Sequence, residues 1–390
     1  MNLGFYYHTA IMRNGDNGLM IPSYLGVFID SLASYVDHLY LVMHESKSDN
    51  PEADYTLTAK NITWVNLGFK TPAWHRAINH KSILKKKLGD LKNCDTILVR
   101  SPSPLAPYFG KYLNGKKLVY MIVGDYGESI QNMKNLNFRE KLIKYFLKYN
   151  TWLFEKCIEK TDVIVNSTML YEKYKTKAKS IHQIRTTTLS KSDFFERENT
   201  CQEAVIRLVY TGRVDPQKGL FELVEATSAL KQNGYNVECN IVGWESSLQE
   251  PVKQSLQALA SELGISENVI FHGRKKVGPE LNAMYRMGDI YVIPSYHEGF
   301  PRTIWEAMAN SLPVVATTVG SIPSYLSNEI NALLIAPKST QAISDAVVQL
   351  IENAALRKSL IIEGQKLAKE NTLEYQTQHL VNTIKHVAIT

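Results

Sequence analysis

The stretch Pro294-Ser-Tyr-His-Glu298-Gly-Phe-Pro-Arg-Thr-Ile-Trp-Glu306-Ala-Met-Ala-Asn-Ser-Leu-Pro-Val-Val-Ala-Thr317 decides the fold. An apolar run ends at Pro294, and a tight turn carries Glu298 beside Gly299. A helical pattern then carries Glu306, and a second apolar run closes at Thr317. Strand, turn, helix and strand in this order make a crossover unit whose strands lie parallel. A helix N-terminus behind a glycine turn attracts anions. A carboxylate in that turn therefore has a task other than binding phosphate. Two glutamates, one in the turn and one inside the helix, can grip the hydroxyls of a sugar on either side of a phosphate. The expectation is an enzyme that handles nucleotide-sugars.

The same punctuation runs outward in both directions. Short apolar runs at residues 3–7, 39–43, 62–65, 96–99, 118–123 and 163–166 read as buried strands, and residues 21–35, 77–88, 104–113, 138–159 and 169–179 as helices between them. A second series has strands at 206–211, 237–242, 269–272, 290–294, 314–317 and 332–335. Its helices lie at 219–232, 250–263, 279–287, 302–310 and 340–352. Two such series imply two doubly wound α/β domains, each with a ligand crevice at the carboxyl ends of its strands. A length of 390 residues suits two domains. Residues 186–201 are polar and aperiodic and mark the boundary. The expected domains are 1–190 and 191–370, with a last helix at 371–390 that packs back on the first domain or caps the second.

Composition excludes several classes. An apolar content of 44% with 21% charged residues is that of a globular protein. The four cysteines, Cys94, Cys157, Cys201 and Cys239, form no CxxC pair, which argues against a zinc site or a disulfide framework. The first residues lack a basic leader, and no apolar run approaches the roughly 20 residues of a membrane span, so a cytoplasmic location is expected. Net charge is +6 but uneven. Residues 60–191 hold 25 Lys and Arg against 9 Asp and Glu. Such a half faces an anionic surface or acceptor, or is a solvated basic face.

The second series opens Thr211-Gly212-Arg213-Val-Asp-Pro-Gln-Lys218-Gly219. Arg213 and Lys218 flank a glycine turn where both can reach a diphosphate, Arg as a fork and Lys as a point charge. Such cations stabilise charge that develops on a leaving phosphate.

Taken together, Gly212-Arg213-x4-Lys218-Gly219, Phe271-His-Gly273, Pro294-Ser-x2-Glu298-Gly-Phe and Glu306-Ala-Met-Ala followed by Pro-Val-Val-Ala-Thr317 resemble the retaining GT-B glycosyltransferases of family 4, the glycosyl transferases group 1. The resemblance covers residues 203–337 closely. It implies a GT-B fold of two Rossmann-like domains facing a central cleft. It implies transfer of a sugar from a UDP- or GDP-sugar to a glycan or lipid-linked acceptor in surface polysaccharide assembly, with retention of configuration. Glu298 would lie beside the donor sugar, Glu306 would hold the ribose hydroxyls, and Arg213 and Lys218 would neutralise the diphosphate. No metal or other cofactor is implied. Gly212, Gly299, Phe300, Arg302 and Thr303 fall in the donor-binding loops. This chain has Pro301-Arg302 where members often have Gly-Leu. Proline offers no N–H to a phosphate, and Arg302 can compensate with its side chain.

The first domain matches the family poorly. Its candidates are Gly15, in the Arg13-Asn-Gly-Asp-Asn-Gly18 loop before a helix, and Asp125, just past the strand at 118–123. The family's histidine near the donor sugar has no counterpart after that strand. His8 at the end of the first strand is a further candidate, whereas His272 and Trp305 read as packing residues. Residues 134–160 alternate lysines with aromatic and aliphatic residues at helical spacing. Such a helix lies in a membrane interface with snorkelling lysines, or packs on the first sheet as an ordinary amphipathic helix. No nucleic-acid-binding motif accompanies the charge. Two other readings stay open: a catalytically silent glycan- or nucleotide-binding protein on the same fold, and a GT-B-like epimerase of UDP-sugars.

Overall fold

The computed structural model describes residues 1–15, 18–47, 50, 52–113, 115–124, 138–245, 247 and 249–389. The chain divides into two compact units, Met1–Thr186 with Glu374–Thr390, and Thr187–Leu373.

In unit 1, the strands β1 (Asn2–Asn14), β2 (Gly18–Ile21), β3 (His38–Glu45), β4 (Tyr55–Thr56), β5 (Ile62–Phe69), β6 (Thr96–Ser101), β7 (Lys117–Ile122), β8 (Asp162–Val165) and β9 (Ser180–Gln183) form one sheet. Its parallel part runs β5-β3-β1-β6-β7-β8-β9. The order reverses between β1 and β6. Strand β1 continues past the parallel sheet and pairs antiparallel with β2, Met12 opposite Met20. The Gly15 segment is thus the turn of a hairpin, not a loop leading directly into a helix. The helix α1 (Ser23–Ser34) starts only after β2. The other helices of this unit are α2 (Ala73–Ile78), α3 (His80–Lys87), α4 (Phe138–Ile158) and α5 (Thr168–Tyr174).

Unit 2 has six parallel strands: β10 (Ile206–Thr211), β11 (Val237–Val242), β12 (Val269–Gly273), β13 (Ile290–Ile293), β14 (Val314–Thr317) and β15 (Leu333–Ile335). Their order is β12-β11-β10-β13-β14-β15. The central strands are nearly all apolar because helices cover both faces. The helices are α6 (Leu220–Gln232), α7 (Pro251–Glu262), α8 (Pro279–Met287), α9 (Thr303–Ala309), α10 (Thr340–Glu352) and α11 (Ala354–Lys369). In α6 the buried Leu220, Leu223, Val224, Thr227 and Leu230 recur at helical spacing and face the core. Helix α9 is buried from Ile304 to Ala309, so it reads apolar all round except at Glu306. The last helix, α12 (Leu373–Ile389), buries Leu380, Val381 and Ile384. Near its start Gln376 Oε1 accepts from the Arg185 amide at 2.8 Å, within unit 1.

Candidate functional site

The order of strands in unit 2 reverses between β10 and β13. In an open α/β sheet the crevice for a ligand lies there, outside the carboxyl ends of the strands. Two loops leave those ends. One runs from Gly212 to Gly219 after β10, the other from Pro294 to Arg302 after β13.

The first loop is shaped by local caps. The Asp215 carboxylate accepts from the Gln217 amide at 2.9 Å and starts a short 3-10 turn, Pro216–Lys218. Gly219 then takes φ +65 and opens α6. Only glycine fits, because a Cβ there would lie 2.1 Å from the Pro294 carbonyl oxygen. That close approach draws the two loops together, and the Tyr296 amide donates to the Gln217 carbonyl at 2.8 Å. The second loop is held from its other side by Gly320, whose absent side chain leaves room for the Glu298 carbonyl. The Ser321 amide donates to the Gly299 carbonyl at 2.8 Å.

Lys218 and Glu298 meet across this seam. Lys218 Nζ stands 2.6 Å from Glu298 Oε1, with only 16% and 12% of the two side chains exposed. Ser295 Oγ donates to the same oxygen at 2.7 Å, and the Ser295 carbonyl accepts from Thr317 at 2.7 Å. The carboxylate is therefore positioned by a cation and a hydroxyl, both fixed by strand ends. Arg213 is exposed, and among the described residues its side chain makes no ion pair. Its carbonyl accepts from the Tyr210 hydroxyl at 2.8 Å. Burial, then the charges of Tyr291 and Glu298, push the Tyr210 hydroxyl well above its ordinary pKa, while Arg213 pulls it back. Tyr210 thus senses Glu298 and Arg213 together.

Glu306 sits one layer deeper, 4% exposed. Thr188 donates to its Oε1, and Tyr285 donates to its Oε2 at 2.7 Å. Arg302 Nε lies 3.9 Å from Oε1. The network extends through Thr211, 2.7 Å from the Tyr285 hydroxyl and 3.2 Å from that of Tyr291. Tyr291 in turn donates to Thr303 Oγ1 at 2.7 Å. Burial and then the Glu306 charge drive the Tyr285 hydroxyl well above its usual pKa, so it remains a donor. An ionised carboxylate offers about four acceptor positions, and two hydroxyls fill about half of them.

The structure thus brings Lys218, Glu298 and the Gly212 and Gly299 turns to one strand-end seam, with Glu306 and Thr303 in the network beneath. It places Phe300 otherwise: its ring stacks on Trp305 at 4.4 Å and meets Tyr325 edge-on at 4.9 Å. Phe300 therefore packs the loop onto α9. Gly15 belongs to the unit 1 hairpin turn at φ +60. Asp125 lies outside the described residues. His272 bonds Asn240 Oδ1 at 2.8 Å, a strand-to-strand contact, and Trp305 is fully buried. Sequence reading missed Ser295, Thr188, Tyr285 and Tyr291. The two tyrosines left a trace, as hydroxyl-bearing residues that end fully buried.

Comparison with known proteins follows the same division. The sequence profile described as Glycosyl transferases group 1 matches residues 191–367. The D-inositol 3-phosphate glycosyltransferase of Saccharomonospora viridis is 32% identical over 164 residues, 40% of this chain and 37% of that protein. The chain therefore spans less than two fifths of that relative's length. Among solved structures, the Anabaena protein HepE in complex with UDP superposes with a TM-score of 0.71 at 17% identity, covering 99% of this chain and 100% of that one. WaaG, a glycosyltransferase involved in lipopolysaccharide biosynthesis, superposes with a TM-score of 0.69 at 15% identity, covering 98% and 99%. At such identity the likeness shows the fold, GT-B, with two Rossmann-like α/β units.

Proposed function

We propose, from the premise that this chain belongs to the glycosyl transferases group 1 family, that it is a retaining glycosyltransferase using a nucleoside-diphosphate sugar. The observation that carries the reading is the Lys218–Glu298 pair at 2.6 Å, set where the strand order of unit 2 reverses and beside the exposed Arg213. A diphosphate entering that seam competes with Glu298 for Lys218. The released carboxylate then becomes an acceptor for sugar hydroxyls, while Lys218 and Arg213 take the charge that grows on the leaving phosphate. No metal needs to enter this scheme, because two side chains supply the positive charge. Ribose hydroxyls donate to the acceptor positions that Glu306 keeps. Glu298 acts by position and charge, with the acceptor attacking from the face the leaving phosphate departs. The two-carboxylate scheme of retaining glycoside hydrolases does not apply.

A UDP-sugar is the favoured donor, since the structurally similar HepE holds UDP. A surface glycan is the favoured product, since WaaG shares the fold and is named for lipopolysaccharide biosynthesis. Unit 1 supports work at the inner face of a membrane. Helix α4 exposes Leu142, Ile143, Tyr145, Tyr149 and Trp152 beside Lys141 and Lys148. An apolar groove of about 530 Å³ runs between its Leu142–Leu147 stretch and Pro72–Trp74. Aromatic rings with flanking lysines suit the headgroup layer of an anionic bilayer. No helix among the described residues is long and apolar enough to cross a membrane.

Thermal unfolding of the full chain with UDP, GDP and ADP tests the donor class, because a ligand of the folded state raises its stability. Hydrolysis of the matching sugar donor, measured for wild type and Glu298→Ala, separates an enzyme from a binding protein. A chain that no nucleoside diphosphate stabilises is not a glycosyltransferase of this kind.

A further inference from the structure

The loop from Pro294 to Arg302 is tied to α6 through a side chain as well as through its backbone. Two residues before Glu298, the Tyr296 amide donates to the Gln217 carbonyl at 2.8 Å. The Tyr296 hydroxyl reaches further and donates to Glu222 Oε1. Glu222 lies in the first turn of α6, just beyond Gly219. A third element meets the same ring. Lys338, in the loop between β15 and α10, sets its ammonium 5.1 Å from the ring centre, within cation–π range. Its backbone stands at φ +59, left-handed and uncommon for a residue with a Cβ. Burial, then the hydrogen bond to Glu222 and the Glu222 charge, push the Tyr296 hydroxyl well above its ordinary pKa, so it stays a donor.

This tie asks for more than packing does. Glu222 Oε2 is buried and has no hydrogen-bond partner among the described residues. A bare, buried carboxylate oxygen opposes folding, and the positive end of the α6 dipole offsets only part of that cost. The backbone bond to Gln217 needs no particular side chain at position 296, since any residue but proline supplies the amide. One bond, however, leaves the loop free to pivot about it. The second, from the same residue to a point farther along α6, removes the pivot. Glu298 follows two residues later, with its carboxylate 2.6 Å from Lys218 Nζ. On the proposed reading, the donor's diphosphate takes Lys218 away. Among the described residues, Ser295 Oγ at 2.7 Å is then the remaining bond to the Glu298 carboxylate. The set of the loop has to come from its own anchors.

We infer that Tyr296 and Glu222 are a positioning pair, whose bond keeps Glu298 beside the donor sugar after the diphosphate has taken Lys218, an assignment that rests on the glycosyltransferase reading. Neither residue touches the reacting atoms. The pair acts through Glu298, so it serves the transfer step and not the hold on the nucleotide. An interaction that matters only in the transition state shows in kcat and leaves ground-state binding alone. Lys338 restrains the Tyr296 ring from its face and leaves the hydroxyl free to meet Glu222. What the pair requires of position 222 is an acceptor oxygen, which glutamine also offers and alanine does not.

The test measures donor hydrolysis by the full chain, with UDP-glucose, UDP-galactose and UDP-N-acetylglucosamine as probes, beside calorimetry of UDP. Tyr296→Phe and Glu222→Ala should each lower kcat about tenfold while UDP affinity stays within about twofold. Both changes remove one bond, so the double variant should be no slower than the slower single one. Glu222→Gln should recover kcat to within about threefold of wild type. Tyr296→Phe keeps the ring, so its unfolding midpoint should drop by less than about 4 °C. Hydrogen exchange in the UDP complex reads the tie without turnover: the Tyr296 amide should exchange at least about fivefold faster in Tyr296→Phe. Unchanged kcat or exchange in Tyr296→Phe, losses that multiply in the double variant, Glu222→Gln as slow as Glu222→Ala, or UDP affinity that falls in step with kcat each overturns the pair. A wild type that neither binds UDP nor hydrolyses a donor defeats the glycosyltransferase reading itself, and the pair's role falls with it.

Discussion

Where its strand order reverses, unit 2 pairs Lys218 with Glu298, whereas unit 1 buries two histidines, His8 and His44, whose pKa burial and then nearby positive charge hold down. Both sheets supply the same place, the crevice beyond the parallel strand ends at the reversal. The side chains decide what that place can take. On the proposed reading a compensated pair is a switch, because an incoming diphosphate would displace the glutamate from the lysine. Two buried imidazoles instead stay neutral, because burial and nearby positive charge disfavour their protonated form. The sheet therefore explains why each unit has a crevice at its reversal, and the side chains explain why the two places differ.

Removing the glutamate charge breaks the switch and should have the largest effect. Glu298→Gln should lower sugar transfer by about two to three orders of magnitude, the usual loss on removing one preorganised electrostatic contact. The same change should tighten UDP binding several-fold, since Lys218 no longer has a competing carboxylate. Initial rates with titrated donor, alongside UDP calorimetry, separate the two. Equal turnover in both proteins would leave Glu298 a structural residue. Lys218→Ala should move UDP affinity the other way, by about tenfold, and strand Glu298 with Ser295 as its remaining partner.

The contrast between the units also explains what could be read from the sequence. In unit 2 the strands 206–211, 237–242 and 314–317 and the helices 279–287 and 340–352 fall where their residue patterns place them. Each is a buried apolar run or a periodic helix bounded by Gly, Pro or Asn. Helix α11 escaped, because it follows α10 across the single residue Asn353, whose side chain caps the Leu356 amide at 2.9 Å. Strands β2, β4 and β9 escaped for another reason: two to four residues become a strand only through their neighbours. Lys218, Glu298 and Glu306 were legible because backbone-fixed loops demand those residue types at that spacing. The hydroxyls that clamp Glu306 come from Thr188 and Tyr285, far away in sequence, and only packing brings them together. The buried histidines of unit 1 were legible only through His8. His44 comes from a separate strand and shares no spacing with it.

Buried imidazole and buried carboxylate should fail differently with pH and mutation. His44 sits at about 4 and His8 at about 3, both below the unfolded value of about 6.5. The unfolded chain therefore binds more protons than the folded one between those values. Stability is fully present above about pH 6.5 and falls as pH drops toward about 4. For the buried His44 the loss is on the order of 2–3 kcal/mol. Chemical denaturation at a series of pH values checks this, and His44→Gln should flatten the slope. Stability that rises on acidification would contradict it. In unit 2, Glu306→Ala should cost about 1–3 kcal/mol at neutral pH, because the Thr188 and Tyr285 hydroxyls lose a buried acceptor.

The smallest effect on folding belongs to the exposed rings of α4, and it sharpens the comparison from outside both crevices. Tyr145 and Trp152 are 71% and 53% exposed, so Tyr145→Ala with Trp152→Ala should change stability by less than about 0.5 kcal/mol. A solvated packing helix would show nothing further. A helix that meets a bilayer would lose affinity for anionic vesicles, and Lys141→Gln with Lys148→Gln would cost up to about 1 kcal/mol per lysine at low salt. Vesicle co-sedimentation of the four-residue variant decides between them. If it sediments as wild type does, the exposed face of α4 is not what meets a membrane, and the other basic residues of 60–191 would have to carry any such contact.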